Sequence, residues 1–391
     1  MSPITASLGT FSLNPIPGID FGPGRARGVG EAAKTLMPAG KSAILLVADR
    51  ALVDLGVAKP VLESLSATGA KVAVFDGIAG EPKEAQVEAA IAAVRSSGAG
   101  LVVALGGGSA LDIGKIAARI GACGRPASDF ALAANRLPTD GVPCICLPTT
   151  AGTGSEVSAT NIYANAAGKK VWVWGQETKP ARVILDPELT LSLPPHLTAW
   201  TGADAFAHAL EACTNKWRTV GNDLYAHKAI ALIAGALETA VREPSNIAAR
   251  GKMLLGSAYA GIAIDNCGTA IAHTISHALA GLAPVHHGHA TALGLEVALP
   301  WQVAADEGAF AAAAAAVGLG RDASGLADWY TEWLTRCGVT RKLPSAFAAF
   351  TASDLAREMR APENAPMRKA TARQVTDTDI DRLAASLMAL K

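Results

Sequence analysis

The chain has 391 residues, half of them hydrophobic, with few aromatics and many alanines and glycines. That length exceeds one ordinary core, so two domains are the starting expectation. Thirty-four basic residues balance thirty-four acidic ones, which removes the electrostatic footprint of a nucleic-acid or anionic-membrane partner. No apolar run reaches membrane-spanning length. The N-terminus lacks the basic-then-apolar pattern of a signal peptide. Six scattered cysteines without a C-x-x-C pair point to reduced thiols and a cytoplasmic setting.

Up to about residue 193, short apolar runs alternate with helical patterns. Residues 42–48, 71–75, 101–105 and 143–147 read as strands, and 84–97 and 110–120 as helices. Strands alternating with helices predict a parallel sheet covered on both faces. Pro194-Pro195 resists continuation of either element and marks a boundary. Beyond it, strand signals vanish and periodic Ala- and Leu-rich segments predict helices at about 197–216, 222–241, 246–264, 270–281, 290–305 and 307–318. Residues 360–371, with two prolines and several charges, read as an exposed loop before a last helix at about 377–390. The expected organisation is an α/β domain over residues 1–193 and an all-α domain over 194–391.

The third predicted strand runs directly into Gly106-Gly107-Gly108-Ser109 and then a helix. A glycine turn of this kind lets backbone N–H groups approach a phosphate, and the helix N-terminus adds partial positive charge. It is neither a good G-x-G-x-x-G match, because Leu111 stands where the third glycine would fall, nor a Walker A loop. A tight turn without a ligand is the alternative. A second turn rich in hydroxyls, from Pro148 through Thr149, Thr150 and Thr153 to Glu156, follows the fourth strand. Ligands of open α/β sheets bind outside these strand ends, so two such loops favour a dinucleotide over a lone phosphate. Asp49 ends the first strand, where an acid accepts bonds from an adenosine ribose and repels a 2′-phosphate; capping the next helix suits it equally well.

Five of the eight histidines fall between positions 273 and 289. Asp204 and His208 are four apart, and so are His273 and His277, so each pair lies on one helix face. Two helices carrying these pairs, with His287 from the following loop, would surround one divalent ion. A carboxylate with imidazoles suits Zn, Fe, Co or Ni better than Mg or Ca. The competing interpretation is a set of hydrogen-bonded core histidines, and His289 is expected to face solvent or stand behind the ligands.

Several blocks, in order along the chain, resemble the iron-dependent (group III) alcohol dehydrogenase family. They are Val47-Ala-Asp49, Gly106 through Asp112 to Lys115, Pro148 to Glu156, Asp186-Pro-Glu-Leu-Thr with Leu193-Pro-Pro195, Gly202 to Glu211, and His273 to His277 followed by His287-Gly288. The resemblance implies an N-terminal dinucleotide-binding domain and a C-terminal helical metal domain. It implies metal ligation by Asp204, His208, His273 and His287. It puts His277 near the nicotinamide and substrate as a catalytic group. Cofactor contacts fall on Gly107, Gly108, Ser109, Asp112, Thr149, Thr150, Thr153 and Lys170, with Asp49 favouring NAD over NADP. The chain departs from the family pattern at Glu81-Pro82 (often Asn-Pro), at Ala270 (often Gly) and at His286 (often Pro), so His286 competes with His287 as a ligand.

The implied reaction is hydride transfer between NAD(H) and a small alcohol or carbonyl compound, assisted by one divalent ion, iron(II) first and zinc second. A homodimer is the expected assembly. A maleylacetate-reductase-like enzyme, a dehydroquinate-synthase-like lyase and a non-catalytic nucleotide-binding protein are the rivals. Trp172, Trp174, Thr160 and Asn161 are candidates to shape the pocket, and no arginine or lysine announces a charged substrate.

Overall fold

Aliphatic runs make four strands of the main sheet. In the computed structural model, which describes residues 10–305 and 307–391, these are β2 (Ala43–Asp49), β3 (Lys71–Ile78), β4 (Leu101–Gly106) and β5 (Cys144–Pro148). Two short strands complete the sheet, β1 (Gly18–Phe21) and β8 (Arg182–Leu185). All pairings are parallel, in the order β1-β8-β5-β4-β2-β3. Along β2 and β4, alternate residues enter opposite cores. Leu45, Val47, Val102 and Ala104 face one cluster; Ile44, Leu46, Leu101 and Val103 face the other. A sheet buried on both faces needs apolar residues at every position, which is why these strands show no polar alternation. Full burial of each such Leu, Ile or Val contributes about 1.5–3 kcal/mol.

The helices of this first half are α1 (Val29–Leu36), α2 (Arg50–Asp54), α3 (Lys59–Ser66), α4 (Glu84–Ser97) and α5 (Gly108–Ile120). The sheet and these helices form one compact unit, Pro15–Leu193 with Ser245–Leu255. Gly106 on β4 stands opposite Pro148 on β5, and Asp49 on β2 opposite Ile78 on β3. The strands therefore end level, and their loops leave from one edge. An antiparallel hairpin of β6 (Thr160–Ala164) and β7 (Lys170–Trp174) follows β5. The expectation from sequence contained no such hairpin.

The second unit holds the described residues up to Asn14, with Pro194–Pro244 and Gly256–Lys391. The helices of the second half are α6 (Pro195–Thr214), α7 (Val220–Ala234), α8 (Leu237–Arg242), α9 (Ile247–Cys267), α10 (Ile271–Leu282), α11 (His287–Val303), α12 (Glu307–Ala316), α13 (Leu326–Arg336), α14 (Ala352–Met359), α15 (Ala365–Ala370) and α16 (Asp377–Met388). The helix expected over 222–241 is interrupted at Gly235, between α7 and α8. Residues 360–371 are not an exposed loop: they carry a 3-10 turn and α15, and Asn364 and Thr371 are buried. Helix α6 packs on α7 and α11, and α10 packs on α11 and α14. One core cluster ties α10, α11, α14 and α16 together through Ile275, Leu279, Leu293, Leu355 and Leu383. The expected fold class, a parallel sheet with flanking helices followed by a helical region, is what the chain adopts.

Candidate metal centre and dinucleotide loops

Helix α6 is a run of alanines and apolar residues, buried over most of its length. Within it Asp204, His208 and Glu211 follow at positions i, i+4 and i+7, so they share one face. Helix α10 brings His273, and the first turn of α11 brings His287. Asp204, His208 and His273 can each direct one donor atom to a common point, all within 4.8 Å of one another. The Nε2 atoms of His273 and His287 both lie 3.6 Å from Asp204 Oδ1. The His208 ring stacks on the His273 ring at 4.5 Å between centroids, and its Nδ1 is 4.0 Å from Asp204 Oδ2.

These distances are too long for hydrogen bonds, and that is informative. Asp204 Oδ1 and His273 Nε2 are both buried with no hydrogen-bond partner among the described residues. A buried polar atom left unpaired costs about 1–3 kcal/mol, so two of them aimed at each other mark the seat of a missing partner. Burial alone would raise the Asp204 pKa, yet the His208, His287 and His273 rings outweigh burial and hold it well below the usual carboxylate range. Burial alone would lower the His273 pKa, yet the Glu211 and Asp204 carboxylates raise it to about 9. The pocket thus favours positive charge between Asp204 and His273, and a divalent cation satisfies both orphaned atoms. The carboxylate-and-imidazole donor set fits zinc or iron(II) and not calcium.

Glu211 was not assigned a role from sequence. Its carboxylate accepts from Ala270 N–H and Ala272 N–H, each at 2.7 Å, and lies 2.6 Å from His273 Nδ1. The signal was present: an acid three residues beyond His208 on an otherwise apolar helix. Ser276 Oγ is 3.1 Å from His287 Nδ1. His277 is half-buried, with its ring 5.7 Å from the His287 ring in a T-shaped contact; it stands beside the four donors. His286 is exposed and packs on Trp200 at 5.1 Å, so His287, not His286, faces Asp204. His289 is buried and does not face solvent: its ring stacks on Trp200 at 5.0 Å and its Nε2 lies 2.6 Å from the Thr340 carbonyl. Gly288 is the residue that permits this entry of α11, because a Cβ there would sit 2.4 Å from the Trp200 carbonyl oxygen.

In the α/β unit, the two loops expected to bind phosphate meet along one sheet edge. A Cβ on Gly108 would lie 2.8 Å from Thr153 Cγ2, and one on Gly107 would lie 3.3 Å from Thr150 Cγ2. Thr149 N–H donates to the Gly106 carbonyl at 2.9 Å. Helix α5 starts at Gly108 with no side-chain cap and no acid in its first turn. That leaves a positive helix end open to an anion. The uncapped helix start fits a pyrophosphate, and the absent Cβ atoms let the second loop lie close beside it.

The remaining residues of this group already have protein partners. Ser109 Oγ donates to the Gly80 carbonyl at 2.9 Å. Lys170 Nζ pairs with Glu81 Oε1 at 2.9 Å, which accounts for the glutamate in the loop after β3. Asp49 caps α2, accepting from Ala51 N–H at 2.9 Å with Oδ1. Asp112 is buried, and its oxygens accept from the Ser155 hydroxyl and from Ile162 N–H. Lys115 is buried beside it and donates to the Ser155, Ser158 and Thr160 carbonyls. Asp112 and Lys115 thus bind α5 to the second loop and to β6. Burial raises the Glu156 pKa to about 7.

Comparison with known proteins agrees with both halves. A family model described as iron-containing alcohol dehydrogenase matches residues 17–187, and one described as the Fe-containing alcohol dehydrogenase family, C-terminal, matches residues 198–375. The chain is 37% identical over 256 residues to long-chain-alcohol dehydrogenase 1 of Geobacillus thermodenitrificans (strain NG80-2), an alignment spanning 65% of each chain, just under two thirds of that relative. It is 36% identical over 288 residues to the 1,3-propanediol dehydrogenase of Klebsiella pneumoniae, spanning 71% of this chain and 72% of that one. The crystal structure of sulfoacetaldehyde reductase from Bifidobacterium kashiwanohense in complex with NAD+ superposes with a TM-score of 0.88 at 30% identity, covering 98% of this chain and all of the other. The chain belongs to the iron-containing alcohol dehydrogenase family.

Proposed function

We propose that this NAD-linked alcohol and aldehyde oxidoreductase holds one divalent ion on Asp204, His208, His273 and His287, and that its α/β unit binds the dinucleotide along the sheet edge bearing Gly107, Gly108, Thr149, Thr150 and Thr153. The observation that carries the metal assignment is the pair of buried, unpartnered atoms, Asp204 Oδ1 and His273 Nε2, 3.6 Å apart. When bound, the ion supplies Lewis acidity toward a substrate oxygen and the nicotinamide supplies the hydride acceptor.

The chain's own residues supply the remainder. Backbone N–H groups at the start of α5 bind the pyrophosphate without a competing side-chain cap. Asp49 uses the carboxylate oxygen that does not cap α2 to accept a ribose hydroxyl, and its charge disfavours a 2′-phosphate. Lys170 and Ser109, through Glu81 and the Gly80 carbonyl, fix the loop after β3 beside the cofactor. Asp112 positions the second loop by holding Ser155 and β6. His277 accepts the alcohol proton in oxidation and returns it in reduction, as a general base and acid.

We assign the α/β half to cofactor binding and the helical half to metal binding and catalysis, in a cytoplasmic homodimer. The free cysteines, five of the six buried, suit a reducing compartment. No helix among the described residues is long and apolar enough to cross a membrane. Named relatives act on alcohols and aldehydes as different as a long-chain alcohol, 1,3-propanediol and sulfoacetaldehyde, and the substrate proposed here is a small neutral alcohol or its carbonyl product. The test is a panel of alcohols and aldehydes read by NADH absorbance, with iron, zinc, cobalt or nickel restored to stripped enzyme. Metal-dependent turnover with a higher kcat/KM for NAD than for NADP is expected. Turnover indifferent to metal, or a preference for NADP, overturns it.

A further inference from the structure

Behind the proposed ligands stands a layer of groups that accept or donate hydrogen bonds on the far side of each ring. Glu211 is the strongest of them. It is buried on α6, seven residues beyond Asp204, and its two oxygens receive three contacts. Oε1 accepts from Ala272 N–H, while Oε2 accepts from Ala270 N–H and lies 2.6 Å from His273 Nδ1. Those backbone groups belong to the start of α10, whose helix dipole and unpaired N–H groups favour an anion there. An ionised carboxylate only accepts hydrogen bonds. His273 Nδ1 must therefore carry the proton, and the other ring nitrogen, Nε2, is left to face Asp204.

His287 has a similar but weaker arrangement. Ser276 Oγ is 3.1 Å from His287 Nδ1 and donates to the His287 carbonyl at 3.3 Å. Thr291 Oγ1 reaches both Ser276 Oγ at 3.1 Å and the His287 carbonyl at 3.0 Å. A hydroxyl has one proton. If Ser276 spends it on the carbonyl, it accepts from His287 Nδ1–H, and Nε2 again points at Asp204. The two supports differ in strength, since a charge-assisted bond to a carboxylate is roughly twice as strong as one to a neutral hydroxyl. They differ in setting too, because His287 retains 25% side-chain exposure against 3% for His273.

We infer that Glu211 is a positioning residue for the metal centre, holding His273 in its Nδ1–H form with Nε2 toward the ion, and that Ser276 does the same for His287 with a smaller effect. This rests on the ligand set given under the proposed function. Partners of this kind behind metal-bound histidines typically change metal affinity by about 10–100-fold when removed.

The test uses the full-length chain and zinc as probe. Zinc Kd is measured by competition with a chromogenic chelator for wild type, Glu211→Gln and Ser276→Ala, at a temperature where all are folded by circular dichroism. Gln keeps the size of Glu and one acceptor oxygen, but its NH2 group cannot accept from the remaining donors. Glu211→Gln is expected to weaken zinc binding by about 10–100-fold and Ser276→Ala by about 10-fold or less. A residue that merely caps α10 would lower Tm and leave the zinc Kd unchanged, which would overturn the inference. A second measurement needs no substitution at Glu211. In zinc-loaded wild type labelled with 15N-histidine, with signals assigned by single-histidine substitutions, His273 should show a protonated Nδ1 and a metal-bound Nε2. A bare Nδ1 overturns the inference even if Glu211→Gln fails to fold. Wild type that binds no zinc at all overturns the ligand assignment as well, whereas tight wild-type binding matched by Glu211→Gln overturns the positioning role alone.

Discussion

The two candidate sites are built on opposite principles. Along the sheet edge the charged and polar side chains are largely spoken for: Asp112 by Ser155 and Ile162, Lys170 by Glu81, and one oxygen of Asp49 by the start of α2. What marks that edge is close approach of backbone, where Gly107 and Gly108 lack the Cβ that Thr150 and Thr153 would meet, and the helix start there is uncapped. In the helical unit the reverse holds. The unmet demand there is electrostatic, in Asp204 Oδ1 and His273 Nε2. A dinucleotide is held by many backbone donors and by shape, so the side chains of its site can rest as a satisfied network around uncapped backbone N–H groups. An ion is held by a few strong donors, so its site must carry unsatisfied ones until the ion arrives.

The comparison breaks most severely at the ion. His273→Ala removes one orphaned atom and the partner of Glu211, and should take metal content from about one ion per chain to under about a tenth, with loss of turnover. Elemental analysis and circular dichroism read the two parts. Full occupancy would place the ion elsewhere, and an unfolded protein would make His273 a core residue instead.

The next effect lies in the α/β unit and depends on pH. Glu156 is buried with a pKa of about 7, whereas an unfolded glutamate titrates near ~4.3. Between those values the folded chain holds a proton that the unfolded chain has released. Stability therefore falls as pH rises through that window, by about 4 kcal/mol, and is flat above it. Glu156→Gln should abolish this slope in urea unfolding between about pH 4 and about pH 8. An identical slope in the variant would assign it to another group.

His277 stands beside the donors without joining them. His277→Ala should keep metal content near wild type and slow turnover by roughly 10²-fold. Metal lost in step with activity would make His277 a ligand and displace one of the four. The smallest expected effect probes the close approach of the two loops. Gly108→Ala puts a methyl against Thr153 and should cost about 1–3 kcal/mol in stability with weaker NAD binding. The double variant with Thr153→Ala should recover most of that stability, and no recovery would mean that the strain lies in the backbone.

Much of this was legible in the sequence, for identifiable reasons. Strands β2, β4 and β5 are aliphatic runs buried on both faces, and the edge strand β3 still carries the apolar run at residues 72–75, so their signal does not depend on neighbours. The glycine turn after β4 and the paired Asp204/His208 and His273/His277 spacings are local patterns as well. Strands β1 and β8 have only four residues each, and pairing with neighbours defines them more than their own runs do. The hairpin was hidden differently. Lys170 to Trp174 alternates as a strand should, with Val171 and Val173 buried, but Trp172 and Trp174 drew a pocket interpretation. The break at Gly235 lies inside an unbroken apolar periodicity, which does not register a helix interruption. Glu211 and Ser276 were missed because their partners come from other helices: Glu211 is 62 residues from His273. Asp112 is similar: its place in the glycine-loop block does not disclose that its carboxylate is engaged within the protein by residues 43 and 50 positions away.

The central claim is the ligand set itself, one carboxylate and three imidazoles around a single ion. X-ray absorption on zinc-loaded wild type reads it directly. The account predicts a four-coordinate first shell of light donors at about 2.0–2.1 Å, with the multiple-scattering signature of three imidazoles. That signature should fall to two imidazoles in His287→Ala if the variant retains the ion. Two or fewer imidazoles in wild type, or any sulfur at about 2.3 Å, would contradict the assignment of Asp204, His208, His273 and His287.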